Sequence, residues 1–276
     1  MGELKTSFFI QKKGERNMII NTWIITGDCH GDMSRFACYD YPKDGTTGVI
    51  ILGDAGVNYY MNNRDTSAKK KLQSTGFQFY LVRGNHEARP ENCEGINWVH
   101  DENVEGMVGI DAAFPAIHYL IDGAEYSIGG YSCLILGGAY SIDKNYRLAK
   151  GYPYQWFEDE QLSEEEREVI YNNVKDKDFD FVLSHTCPRS WEPTDLFMSG
   201  INQDDVDKST EDWLEQVKEA IKYRIWLFGH FHADRIERPK VEQYYKKSDT
   251  LDAIWDRWNN SNRPEWWIER GPFANV

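Results

Sequence analysis

Five stretches of the chain share one pattern, an apolar run that stops at a small residue followed by a polar one. They are 22-TWIIT-26 before Gly27-Asp28, 49-VIIL-52 before Gly53-Asp54, 179-FDFVL-183 before Ser184-His185, and 223-YRIWLF-228 before Gly229-His230. The fifth, 77-FQFYLV-82, reaches Gly84-Asn85-His86 after one arginine. Short apolar runs bounded by turn residues read as strands buried on both faces. Between them the pattern turns helical. One helix is predicted over 65–74, with Lys69-Lys70-Lys71 as a solvated face, and a second opens at a Ser163/Glu166 capping box and runs to about 174. A third starts at Ser209 or Thr210 and reaches about Ile221. From 117 to 136 the texture changes. Alternating segments flank Asp122-Gly123, a hairpin signal, and Gly129-Gly130 precedes a third strand, 132-SCLIL-136. This antiparallel meander interrupts an α/β alternation and predicts a second sheet.

Composition narrows the class. The 276 residues are 41% hydrophobic and 14% aromatic, enough for the core of one large folded domain. We expect an N-terminal extension over 1–17, a main domain over 18–240 and a tail over 241–276. The tail holds Trp255, Trp258, Trp266 and Trp267, four of the ten tryptophans, and is expected to dock on the core or a partner. The net charge of −14 repels polyanions, so long nucleic acid is a poor partner and a phosphate compound needs local positive charge. Five scattered cysteines without a C-x-x-C pair fit a reducing compartment. No signal segment or membrane span is legible, which leads us to expect a cytoplasmic protein without a membrane partner. The oligomeric state is not legible.

The polar residues at the five run ends carry the chemistry. They are Asp28 and His30 (27-GDCHGD-32), Asp54 (53-GDAG-56), Asn85 and His86 (84-GNHE-87), His185 (184-SHTCP-188), and His230 and His232 (229-GHFH-232). Five of the seven histidines lie here, while His100 and His118 fall outside and read as surface or hydrogen-bonded residues. Singly, each segment has an ordinary reading as a turn or a satisfied polar end. Jointly they hold a mixed nitrogen and oxygen set sufficient for two ions, which five unrelated turns have no reason to assemble. Borderline divalent metals take imidazole and carboxylate without any thiolate. Two ions about 3.5–4 Å apart can share a carboxylate and clamp an in-line displacement at phosphorus. Asp28, His30 and a distant histidine suit one ion, and Asn85, His185 and another distant histidine suit the second. Asp54 is the natural bridge. His86 sits one residue past a ligand, where a general acid or an orienting group belongs.

The order GDxH, GD, GNH[DE], lone His, GHxH, spanning Asp28 to His232, resembles the calcineurin-like metallophosphoesterase superfamily. The segment 137-GGAYSIDKNYR-147 is similar to one in its bacterial and phage members. The resemblance implies a four-layer αββα sandwich of two mixed sheets flanked by helices. It also implies two divalent ions (Mn, Fe, Zn, Ni or Mg, with Mn or an Fe/Zn pair favoured) and phosphoester hydrolysis by a bridging hydroxide. Carried over by motif, Asp28, His30, Asp54 and His232 hold the first metal. Asp54, Asn85, His185 and His230 hold the second, and His86 donates the proton. The implied substrate is a small phosphomonoester or phosphodiester. A nuclease or cyclic-nucleotide phosphodiesterase is one alternative, and a non-catalytic scaffold is another.

Departures from the family pattern are informative. Its protein phosphatase branch continues the second block as GDxVDRG, whose later Asp steadies the catalytic histidine and whose Arg binds phosphate. Here 53-GDAGVNYY-60 has Val57 and Asn58 at those places. Candidate replacement cations are Arg89 and Arg147, taken as substrate contacts, and Arg83, which could instead pair with Glu87. Cys29, between two ligands, should point away from them as a small filler.

Overall fold

Strands that are apolar on both faces need cover on both faces, and the fold supplies it with a second sheet on one side and helices on the other. The computed structural model describes residues 19–259. The first part of the chain gives β1 (Thr22–Thr26), β2 (Thr47–Leu52), α1 (Asn63–Gln73), β3 (Gln78–Val82), β4 (Ile96–Asp101), β5 (Gly106–Asp111) and β6 (Ile117–Tyr119). Then follow β7 (Glu125–Ile128), β8 (Tyr131–Leu136), α2 (Lys144–Lys150), α3 (Glu164–Val174), β9 (Asp178–Ser184), α4 (Ser209–Ala220) and β10 (Lys222–Phe228). The last elements are β11 (Arg235–Arg238), β12 (Val241–Gln243), β13 (Ser248–Thr250) and α5 (Leu251–Asn259).

Two mixed sheets result, one of order β13-β1-β2-β3-β6-β5-β4 and one of order β11-β12-β10-β9-β8-β7. Strands β1, β2, β3 and β6 run parallel in the first, and β8, β9 and β10 in the second. Alternate residues of each central strand feed different cores. Ile50, Leu52, Tyr80 and Val82 meet Ile135, Leu183, Ile225 and Leu227 between the sheets. Val49, Ile51, Phe79 and Leu81 face outward onto Leu72 of α1, and Val182, Trp226 and Phe228 face outward onto α3 and α4 through Ile170, Trp213 and Leu214. The layers are therefore αββα, the fold class implied by the motif order.

The Ser163/Glu166 capping box is present with both of its hydrogen bonds. The third helix starts as expected, but its first turn is held by Asp207, whose carboxylate accepts the Ser209 N–H at 2.9 Å. Lys69 does not lie on a solvated face. It is buried and pairs with Asp111 at 3.1 Å. The expected meander is half right. β7 and β8 form an antiparallel hairpin through Gly129-Gly130, but β6 belongs to the other sheet, so Asp122-Gly123 is where the chain crosses between sheets. The Asp122 carboxylate fixes that corner by accepting from Gly137 N at 2.7 Å and Arg83 Nε at 2.8 Å.

Residues 241–259 are part of the sandwich. β12 pairs with β10 and β13 with β1, and α5 lays Trp255 against Tyr131 and Phe181. Trp266, Trp267 and the 1–17 extension lie outside the described residues. No helix among the described residues is long and apolar enough to cross a membrane.

Candidate metal centre

The parallel strands of both sheets aim their carboxyl ends at one edge, where layered α/β folds collect functional residues. Asp28 and His30 follow β1, Asp54 follows β2, Asn85 and His86 follow β3, His185 follows β9, and His230 and His232 follow β10. The backbone there is bent out of strand geometry. His30, Asp54, His230 and His232 have φ of 45°, 47°, 68° and 54°, a left-handed conformation uncommon outside glycine, although Asn, Asp and His enter it more readily than other residues. Such strain persists where the surroundings over-determine it, as at functional sites. Part of that determination is visible. Cys29 N and His30 N both donate to Asp54 O, at 3.0 and 2.8 Å, so the β1 and β2 ends are tied together.

Glycines let the ends approach this closely. A Cβ on Gly53 would fall 2.0 Å from Nδ1 of His185, and one on Gly84 would fall 2.0 Å from Oδ1 of Asp54.

Each buried carboxylate spends one oxygen on backbone and leaves the other facing the histidines. Asp28 Oδ1 accepts from His230 N at 2.9 Å, and Asp54 Oδ1 accepts from His86 N at 2.8 Å. Asp28 Oδ2 is buried and has no hydrogen-bond partner among the described residues. It lies 3.4 Å from His232 Nε2 and 3.7 Å from His30 Nε2, while Asp54 Oδ2 lies 3.8 Å from His30 Nε2 and 3.7 Å from His185 Nε2. These separations are too long for hydrogen bonds, and they suit atoms that share an ion.

The donor set contains acceptors that face acceptors. Nδ1 of His185 meets the Leu52 carbonyl at 2.8 Å, which keeps the proton on Nδ1 and leaves Nε2 with its lone pair. That lone pair faces Asn85 Oδ1 at 2.8 Å. The amide cannot flip to relieve the clash. Its Nδ2 donates to Ser141 Oγ at 2.7 Å, and the Ser141 hydroxyl is in turn committed to Glu160 Oε2 at 2.5 Å. For the His185–Asn85 pair only a cation, a metal or an added proton, reconciles the two acceptors. His30 and His232 meet Nε2 to Nε2 at 2.8 Å, where one neutral ring can donate to the other or both can turn a lone pair to an ion. The residues therefore fit divalent metal. Ligand atoms gather within 4.8 Å as Asp28/His30/His232, as Asp28/Asp54/His185 and as His30/Asp54/His86. His230 packs its ring 5.0 Å from that of His185, although its nitrogens are in none of those three groups.

The family model for calcineurin-like phosphoesterases matches residues 22–234. The chain belongs to that family. No curated protein matches it.

Electrostatics follow from burial among these groups. Burial opposes ionisation of the Asp54 carboxyl, but His86, His185 and His30 outweigh it and hold the group well below the usual carboxylate range. Burial likewise opposes ionisation of Asp28, and the surrounding imidazoles of His232, His185 and His30 overcome it and lower the group. Desolvation drives His230 down to about 3, so the imidazole is held neutral, as a ligand must be. Burial also lowers His86 against the pull of Asp54.

Several expectations for this calcineurin-like phosphoesterase need correction. Arg89 is turned away from the centre. Its guanidinium clamps Glu166 at 2.5 Å and the carbonyls of Asp159 and Gln161 at 2.8 and 2.9 Å. Arg147 is buried at 1% exposure and bound to Asp143 at 2.7 Å and the Gln155 carbonyl at 3.0 Å, so it holds Asp143 in place and presents no donor to the cavity. Arg83 pairs with Asp122 and not with Glu87. The Glu87 carboxylate accepts from Gly84 N at 2.7 Å, and burial beside Asp54 pushes it up to about 8. Val57 is core and Asn58 donates to the Tyr119 hydroxyl at 3.1 Å, so neither stands in for the dyad aspartate. Asp143 is the carboxylate that lines the cavity beside His86. Cys29 is buried in the outer core with Arg35 against its sulfur. The residues missed from sequence were Ser141, Glu160 and Asp143. The first and last lie in the 137–147 segment already noted for its similarity to family members, which was the available signal.

Proposed function

We propose that the chain hydrolyses a small phosphate ester at a pair of divalent ions. Asp28, His30, Asp54 and His232 would hold one ion, and Asp54, Asn85, His185 and His230 the other. The observation that carries this reading is the acceptor–acceptor contact of His185 Nε2 with Asn85 Oδ1, at the same strand-end edge as the unpartnered Oδ2 of Asp28. When bound, the ions supply Lewis acidity to the phosphoryl oxygens and activate a water as nucleophile.

The chain's own residues do the rest. Asp54 reaches both halves of the site through one carboxylate, and its Oδ1 bond to His86 N fixes where the His86 ring starts. Lowered by burial, His86 is a weakly held proton source, suited to protonating the leaving oxygen in a single displacement. Asp143 and Tyr59 flank its ring, the latter at 5.9 Å, and restrict its orientation.

The test is metal-reconstituted protein assayed against phosphomonoesters, phosphodiesters, nucleotides and phosphopeptides, with metal content measured in parallel. Turnover and metal occupancy should disappear together in Asp54→Asn and in His185→Ala. Near wild-type turnover in either variant would refute the assignment. Stoichiometric metal with no turnover on any ester class would favour a scaffold.

A further inference from the structure

Two cavities open onto the same centre from different sides. The first, about 360 Å³, reaches His30 and His86 along an apolar wall that includes Leu196, Phe197 and Phe231, with Glu192 and Glu211 beside it. The second, about 670 Å³, reaches the same two histidines from across Asp143 and is lined by Tyr59, Tyr60, Arg64, Lys71, Tyr146 and Tyr154. A phosphomonoester has one organic arm and would leave one of these cavities without a role.

The two cavities differ in chemistry. In a chain of net charge −14, Arg64 and Lys71 are exposed on one face of α1 and have no carboxylate partner among the described residues. The Arg64 guanidinium stands 4.8 Å from the centre of the Tyr60 ring, Tyr60 stands 4.7 Å from Tyr59, and Tyr59 stands 5.9 Å from His86. Rings and cations thus run without interruption from the proton donor outward. Tyr146 and Tyr154, 5.9 Å apart and substantially exposed, form the facing wall. Exposed aromatic faces interleaved with cations recognise flat rings that carry phosphate. The apolar cavity, with carboxylates and a Lys208 already committed to Glu192 at 2.6 Å, repels an anion and accepts an uncharged arm.

Resting on the phosphoesterase reading above, we propose that the substrate is a phosphodiester with one nucleotide-like arm in the tyrosine–arginine groove. That arm bears an aromatic ring and a further phosphate, and the other, uncharged arm sits in the apolar cavity. The oxygen of a water bonds to phosphorus and that water gives one proton to solvent, one ester P–O bond breaks, and the departing alcohol takes its proton from His86, which regains one from solvent. The length of the arm is limited by the chain's overall negative charge, which selects a mononucleotide or dinucleotide over a long strand.

The probes are thymidine 3′-phosphate 5′-(p-nitrophenyl phosphate), thymidine 5′-(p-nitrophenyl phosphate) and p-nitrophenyl phosphate. In metal-loaded protein, Arg64→Ala/Lys71→Ala should lower the preference in kcat/KM for the first probe over the third by about tenfold or more, through KM. Tyr146→Ala should lower the preference for both thymidine probes over the third. Unchanged ratios, or equal losses on all three probes with metal content intact, would overturn the proposal. If no probe is turned over, the phosphoesterase reading fails and calorimetry judges the groove by itself. Thymidine 3′,5′-bisphosphate should bind the wild type and lose about tenfold or more in the double variant. No binding, or equal binding, would overturn the groove.

Discussion

The imidazoles of His30 and His232, 202 positions apart in the chain, face each other Nε2 to Nε2 at 2.8 Å above the orphaned Oδ2 of Asp28. Both lone pairs are free for an ion only when each ring carries its proton on Nδ1. If the pair is completed by an ion, His232→Ala removes one of its ligands and leaves the Asn85–His185 half intact. We expect elemental analysis to fall from two ions toward one. The loss in affinity for that ion should exceed the ~100-fold that even outer hydrogen-bond partners cost. Two tightly held ions in the variant would remove His232 from the ligand set.

Gly84 offers a steric test that leaves every ligand in place. Its φ is not left-handed, but the new Cβ would fall 2.0 Å from Asp54 Oδ1 and 2.3 Å from Asp54 N. Both the carboxylate and the Asp54 backbone must shift, which releases His86 N. Gly84→Ala should keep a native circular dichroism spectrum and lose about a hundredfold or more in turnover, the cost of roughly 1 Å of misplacement. Full activity would mean that Asp54 does not need this position.

Ser141 holds the Asn85 amide the right way round. Ser141→Ala frees the amide to rotate and leaves Glu160 without its hydroxyl donor. Metal affinity should fall by about 10- to 100-fold, and Ser141→Thr should restore most of it if the hydroxyl is the cause. A metal titration that does not separate alanine from wild type would deny the link.

Glu211 gives the stability of the fold a pH dependence of its own. Buried behind the apolar cavity, with Thr186 donating to Oε1 at 2.9 Å and Oε2 unpartnered among the described residues, it is pushed up by burial to about 7. The folded chain therefore keeps this proton to higher pH than the unfolded chain. Stability from this group is full below the ordinary value of 4.5 and is lost as pH rises to about 7. Glu211→Gln should flatten that loss. Melting temperatures of the two proteins should run together near pH 4 and separate above pH 7, where the variant should be the more stable by on the order of 1 to 3 kcal/mol. Parallel curves across the range would contradict the raised value.

Why the strand ends were legible and other features were not follows from what each depends on. Runs such as 49-VIIL-52 are apolar at every position because each strand serves two cores, and the ligands follow them directly. The edge strand β4 is mostly exposed and reads 96-INWVHD-101, too polar to stand out, and β12 and β13 are only three residues each. An arginine's role depends on which carboxylate the fold brings to it. Glu166 reaches Arg89 across 77 positions and Asp122 reaches Arg83 across 39, and no local spacing encodes either. The Asn85–Ser141–Glu160 relay is equally non-local. Asp122-Gly123 looked like a hairpin because its turn chemistry is right, while the strands on either side go to different sheets.

The candidate ligands are divided between the layers. Asp28, His30, Asp54 and Asn85 leave the first sheet, and His185, His230 and His232 leave the second. Ions held there would act as a bolt through two plates. A chelator that stops the reaction would also unfasten the seam between the sheets, and the temperature at which the sandwich opens would track the free concentration of the metal that drives it.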